Sequence, residues 1–156
     1  MTDENSAMKD DPMREALSLA RAAADAGEVP VGAVITDKSG QIIAATHNQM
    51  TGHNNATAHA ELLAIEQAMR NTGRARLDGC DLWVTLEPCA MCAGAITHAR
   101  IARLYYAADD PKGGAVDNGP HLFHQPTIHH KPEIYGGLSA RPSAELLKAF
   151  FASKRG

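Results

Sequence analysis

Two short runs carry the reactive side chains of this 156-residue chain: His59-Ala60-Glu61 and, with Cys89 thirty positions beyond His59, Pro88-Cys89-Ala90-Met91-Cys92. Both read as helix starts. Thr57 is placed to cap one helix with His59 in its first turn, and Pro88 suits the first helical position of another, with Cys89 next. Cys89 and Cys92 are three apart, so they share a helix face and can grip one ion together. A helix N-terminus presents unpaired N–H groups and positive potential, which favours the thiolates a metal needs. One imidazole and two thiolates make three protein ligands, the count of catalytic zinc, which keeps a fourth position for water; structural zinc is closed by four. Such zinc brings water toward a pKa of about 7. Glu61 lies two residues past His59, and such neighbours point apart on a regular helix. Both can address one site only at an irregular helix mouth, where a carboxylate can take a proton from water and return it to a leaving nitrogen. The expected chemistry is hydrolytic.

Each piece has a plainer reading. A Cys89–Cys92 redox pair would leave His59 and Glu61 idle and prefers a thioredoxin-like context, which this chain lacks. A closed structural site could draw a fourth ligand from His47, His53, His98, His121, His124, His129 or His130, none of which stands at zinc-finger spacing. A non-catalytic RNA-binding module stapled by zinc is the third rival, for which Glu61 would be dispensable. Cys80 reads as a small buried residue.

The elements that must position these residues follow from periodicity. Asp11 and Pro12 open a helix bearing Met13, Leu17, Ala20 and Ala24, with Gly27 as its stop. Val29 to Ile35 and Gln41 to Ala45 form a hairpin around Asp37-Lys38-Ser39-Gly40. A second helix carries Leu62, Ile65 and Met69. Asp81 to Leu86 is a strand, Pro88 to about His98 a third helix, and Ile101 to Ala107 a further strand. Residues 109–140 read as a long ordered loop region, followed by a helix with Leu146, Leu147, Phe150 and Phe151 on one stripe. The order implies an α/β fold: three layers, with a central mixed sheet of about five strands between helices. Residues 1–11 are expected to be a flexible tail and 12–156 a single domain, since neither repeats nor a second composition appear.

Composition narrows the class. Hydrophobic residues make up 44% and charged residues 21%, too apolar for a disordered chain. No apolar run approaches the ~18 residues a membrane helix needs, and the acidic start is expected to be neither signal nor transit peptide. Three cysteines argue against a disulfide framework and for the cytoplasm. Net charge is −3; Asp3, Glu4, Asp10 and Asp11 against Lys9 and Arg14 leave −2 in the first 14 residues, whereas residues 141–156 carry +3. That basic end suits a polyanion, and equally a solvated helix end complementing its dipole.

H-x-E followed by P-C-x-x-C is the signature of zinc nucleobase deaminases. With Glu28-Val29-Pro30-Val31-Gly32-Ala33-Val34, His47-Asn48 and Asp109-Asp110-Pro111-Lys112-Gly113-Gly114-Ala115, the chain resembles the bacterial tRNA-specific adenosine deaminases, of the cytidine deaminase-like superfamily, over residues 12 to 154. The resemblance implies one Zn2+ per subunit on His59, Cys89 and Cys92, with Glu61 as acid and base. It implies that Asn48 hydrogen-bonds a flipped adenine, that Val29 and Val31 wall its pocket, that Asp110 lies near the ribose or a flanking nucleotide, and that Lys112 approaches a phosphate. The implied substrate is the wobble adenosine in the anticodon stem-loop of an arginine tRNA, bound by a homodimer, with no DNA or membrane partner. The chain departs from many relatives at His129-His130 and at Val116-Asp117-Asn118-Gly119, which bears on contacts to flanking nucleotides. A deaminase of free guanine or cytosine, using the same zinc site, is the alternative. His121, His124, His129 and His130 are open between RNA contact and solvated loop.

Overall fold

The computed structural model describes residues 11–155; the tail expected at residues 1–11 falls, except for Asp11, outside them. Helix α1 (Pro12–Asp25) is capped as expected: the Asp11 carboxylate accepts from the N–H groups of Met13 and Arg14, with Pro12 in the first turn. Strands β1 (Gly32–Thr36) and β2 (Ile42–His47) form an antiparallel hairpin. Its turn is drawn tight by Asp37, whose Oδ1 accepts from the main chain of Ser39 and Gln41 and from the Ser39 hydroxyl. Then follow α2 (Ala60–Thr72), β3 (Asp81–Leu86), α3 (Ala90–Ala99), β4 (Arg103–Ala108), a 3-10 turn at Leu122–His124, β5 (Glu133–Gly136) and α4 (Ala140–Arg155).

The five strands form one mixed sheet in the order β2-β1-β3-β4-β5. The β2–β1 and β1–β3 pairs are antiparallel, the β3–β4 and β4–β5 pairs parallel. Strand alternation divides the apolar side chains between two faces. Ala33, Ile35, Leu82, Val84, Leu104 and Tyr106 meet Ala64, Ile65 and Ala68 of α2 and Ala93 and Ile96 of α3 in the larger core. Val34 and Ala107, with the half-buried Trp83 and Tyr105, face Met13 and Ala16 of α1. Helix α4 lies along β4 on the α1 side, where the Ser143 hydroxyl donates to the Thr85 carbonyl. The three-layer arrangement expected from the sequence is therefore the observed one.

Two boundaries differ from expectation. Val29 to Val31 precede β1 and make a tight turn, the Val31 N–H bonding the Val29 carbonyl at 2.8 Å; their β-branched character reads as strand, but here it serves packing at a bend. Residues 109–140 are not wholly loop, as they contain β5. This strand is four residues long and largely exposed, with Ile134 alone packed inward, so it has no alternation to detect.

Topology then places the site. The start of β1 and the end of β2 lie beside the C-terminal ends of β3 and β4, because β1 runs against both β2 and β3 (Gly32 opposite His47, Ala33 opposite Val84) while Leu86 stands opposite Ala108. The segments following β2, β3 and β4 and the one preceding β1 therefore meet at one edge of the sheet, where open α/β sheets bind ligands.

Candidate metal centre and its cavity

His59 and Cys89 are the N-cap residues of α2 and α3, both with extended backbone (φ −75°, ψ 149° and φ −76°, ψ 177°). The helices thus begin slightly later than expected, and neither residue sits inside a first turn. Thr46 of β2 and Asn48, just past its end, hold the mouth of α2: Asn48 Oδ1 accepts from the Ala60 N–H at 2.7 Å, and the Thr46 hydroxyl donates to the Ala60 carbonyl. Cys92 lies one turn into α3 and is fully buried.

The His59 Nδ1 atom is 3.6 Å from the sulfurs of both Cys89 and Cys92, and the three donor atoms lie within 4.8 Å of one another. Zinc bonds of about 2.3 Å to sulfur and about 2.05 Å to nitrogen, at the tetrahedral angle, separate S from N by about 3.6 Å. The donor set therefore has the dimensions of one face of a zinc tetrahedron. Among the described residues no second histidine joins it, so the closed Cys-Cys-His-His alternative finds no support here. The Cys89 thiol is pulled down to about 5, first by its hydrogen bond with Cys92 and against the effect of burial, with the N–H groups of Cys92 and Met91 assisting. The Cys92 thiol is pushed up by that same bond and by burial.

Glu61 is the second helical residue of α2 and is 4% exposed. Burial, with the Cys89 charge adding to it, pushes its carboxyl up to about 7; the charge of a bound cation opposes that shift. Glu61, His59 and Cys89 open onto a cavity of about 270 Å³ whose other walls include Val29, Val31, Asn48 and Asp110. Because Asn48 Oδ1 is engaged by Ala60, its Nδ2 is left to offer a donor to that cavity. Lys112 lies on the exposed turn beside the cavity but does not line it; its main-chain N–H bonds Asp110 Oδ1 at 3.2 Å. The sequence reading missed Met50, Leu86, Glu87 and Gly113 in the lining. Glu87 was within reach, as it adjoins the Pro88-Cys89 pair.

A larger cleft of about 420 Å³, at the far end of α3, is lined by residues including Arg76, His98, Arg100 and His129, and among the described residues no metal donor set lies in it. His130 is tied into the fold instead, its N–H bonding the Thr97 hydroxyl and its ring the Ile101 carbonyl.

A family described as MafB19-like deaminase matches residues 7–155. The tRNA-specific adenosine deaminase of Agrobacterium fabrum is 52% identical over 92% of this chain and 93% of its own. That of Bacillus subtilis is 40% identical over 92% and 88%. The chain belongs to the tRNA-specific adenosine deaminase family, within the MafB19-like deaminases. A solved structure from work on A-to-I editing by tRNA:A34 deaminases, at the wobble position of transfer RNA, superposes with a TM-score of 0.85 at 52% identity, covering 87% of this chain and 98% of that one. The guanine deaminase from Nitrosomonas europaea superposes with a TM-score of 0.74 at 26% identity, covering 92% and 84%. The family's cytidine deaminase-like architecture is thus the one these elements build.

Proposed function

We propose that this chain is a zinc-dependent hydrolase that converts the wobble adenosine of a tRNA anticodon, in an arginine tRNA, to inosine with release of ammonia. One observation carries the reading: His59 and Cys89 of the donor set, with Cys92 buried behind them, open together with the Glu61 carboxyl onto a cavity sized for a single base. At about 270 Å³ it falls below the ~300–1,000 Å³ of sites for drug-sized ligands. The tRNA-specific relatives support the choice of substrate.

His59, Cys89 and Cys92 would hold the zinc, which would supply the Lewis acidity needed to make water a nucleophile at neutral pH. Everything else is done by side chains. Val29 and Val31 offer apolar walls for a base flipped out of its stack, and Asn48 Nδ2 offers a hydrogen bond to a ring acceptor. A C–O bond forms at the purine carbon that carries the amine, and the C–N bond breaks. Glu61 takes the proton from the attacking water on its carboxylate and returns protons to the departing nitrogen, a task suited to a buried carboxyl that borders the same cavity as the donor set. Asp110, which borders the cavity, would meet the ribose or a flanking nucleotide, and Lys112, on the adjoining turn, would approach a phosphate. A homodimer in the cytoplasm with one zinc per subunit completes the proposal; among the described residues no helix is long and apolar enough to cross a membrane.

The second reading, a deaminase of free bases, rests on the guanine deaminases that share this architecture. Purified protein given an arginine tRNA anticodon stem-loop and, separately, free adenosine, cytidine and guanine separates the two. Inosine in the sequenced stem-loop is the expected result. Ammonia from the free compounds alone would replace it with the second reading.

A further inference from the structure

Glu87 joins β3 to the Cys89 segment, is 2% exposed, and has both carboxylate oxygens filled from a single stretch of chain. Its Oε2 accepts from the main-chain N–H groups of Val116 (3.0 Å), Asp117 (2.9 Å) and Asn118 (3.1 Å). Its Oε1 accepts from the Asp110 N–H (2.9 Å) and from Asn118 Nδ2 (2.6 Å). Residues 109–121 form neither helix nor strand, so these N–H groups have no regular ladder to satisfy them. The same stretch delivers Asp110 and Gly113 to the cavity wall. It is seated so closely on the carboxylate that a Cβ at Gly114 would lie 2.4 Å from Glu87 Cδ. A second tie runs in parallel, from the Ala115 N–H to the Pro88 carbonyl at 2.9 Å. Burial works against the charge of Glu87, but the converging donors outweigh it and hold the carboxyl below its usual range.

We propose that Glu87 is a positioning residue: its carboxylate sets residues 110–118 as the substrate-facing wall of the cavity and locks that wall to the stretch of chain that presents Cys89. A metal-ligand segment and a substrate wall, separated by more than twenty residues, are thereby held in one geometry by one side chain. The proposal rests on the reading of this cavity as the substrate site.

Glu87→Gln keeps the shape and inverts part of the hydrogen bonding. If the amide oxygen takes the Oε2 place, the main-chain bonds from 116–118 survive, while the amide NH₂ confronts the Asp110 N–H and Asn118 Nδ2, donor against donor. Hydrogen exchange on the zinc-loaded protein without substrate should then show the Asp110 amide opening faster, with the zinc content unchanged. On the anticodon stem-loop KM should rise about tenfold with kcat within about threefold, the signature of lost substrate positioning and not of lost chemistry. Gly114→Ala presses on the same carboxylate from the loop side, leaves the charge of Glu87 in place, and should give the same KM-weighted loss. Wild-type exchange and wild-type KM in both variants would overturn the proposal, as would a fall in kcat with KM unchanged. Because exchange is read without substrate, it tests the clamp even if the wild-type chain ignores the stem-loop, an outcome that would count against the functional reading alone.

Discussion

His59 and Glu61 can serve one site because His59 is not yet helical. Its extended backbone turns the imidazole toward the two sulfurs, while Glu61, two residues on and inside α2, reaches the same cavity from the helix. The capping position resolves the conflict that i, i+2 spacing poses on a regular helix. Glu61→Ala should accordingly retain one zinc per chain by metal analysis, and lose turnover by a factor of about 10²–10⁴, the usual worth of a positioned proton carrier. Full activity in that variant would remove Glu61 from the chemistry and favour a zinc-stapled binding module. The thiols set a second expectation. Zinc uptake displaces thiol protons, so apparent affinity must fall as pH falls. Cys92, pushed up, still holds its proton near neutrality, and Cys89 regains one below about 5. A competition titration against a chelator should show affinity dropping about tenfold per pH unit near neutrality and more steeply below about 5. A pH-independent affinity would mean the sulfurs are not the ligands.

At the scale of elements, close approach matters as much as apolar pattern. Gly32 opens β1 directly under α1, and a Cβ there would stand 2.0 Å from the Ala16 carbonyl oxygen. Gly32→Ala must push the helix and strand apart, at a cost of about 1–3 kcal/mol or more, seen as a lower melting temperature in calorimetry. Because Val29 and Val31 lead into that strand, KM for the stem-loop should rise as well; an unchanged melting temperature would show that α1 yields freely. The loops around the cavity rely on buried carboxylates in place of regular structure. Glu28 accepts from the N–H groups of Thr51 (3.0 Å) and Gly52 (2.7 Å) on one side, as Glu87 does for residues 110–118 on the other. Neither role is visible in periodicity, since a lone Glu between apolar residues reads as a solvated surface charge. The capping chemistry of Asp11 and the Asp37 turn, by contrast, depends only on residues within four positions, and local sequence suffices for both.

For the whole molecule, the candidate metal-donor set bridges two helices that also share an apolar core. Ala64, Ile65 and Ala68 of α2 and Ala93 and Ile96 of α3 are packed in the same cluster behind the donor set. Removing zinc with a chelator should therefore lower the melting temperature by several degrees, through loss of native-state binding, while far-UV circular dichroism at 25 °C stays near that of the loaded protein. Wholesale loss of helical signal would instead make the metal the organiser of the fold, as it is in small zinc modules.

The sequence alone determined what depends on residue type and short spacing. The donor set His59, Cys89 and Cys92, the carboxyl of Glu61, the capped α1, the hairpin and the alternation of helices with strands all follow from contacts within a few positions or from side-chain chemistry. Tertiary structure decided what depends on distant segments meeting. It placed the start of β1 beside the ends of β2, β3 and β4, added the exposed β5, kept Lys112 off the cavity wall, and made Glu87 and Glu28 buried anchors for the loops around the cavity. The reason is that strand pairing, and the convergence of several N–H donors on one carboxylate, are set by where the backbone goes across tens of residues, which no local pattern encodes.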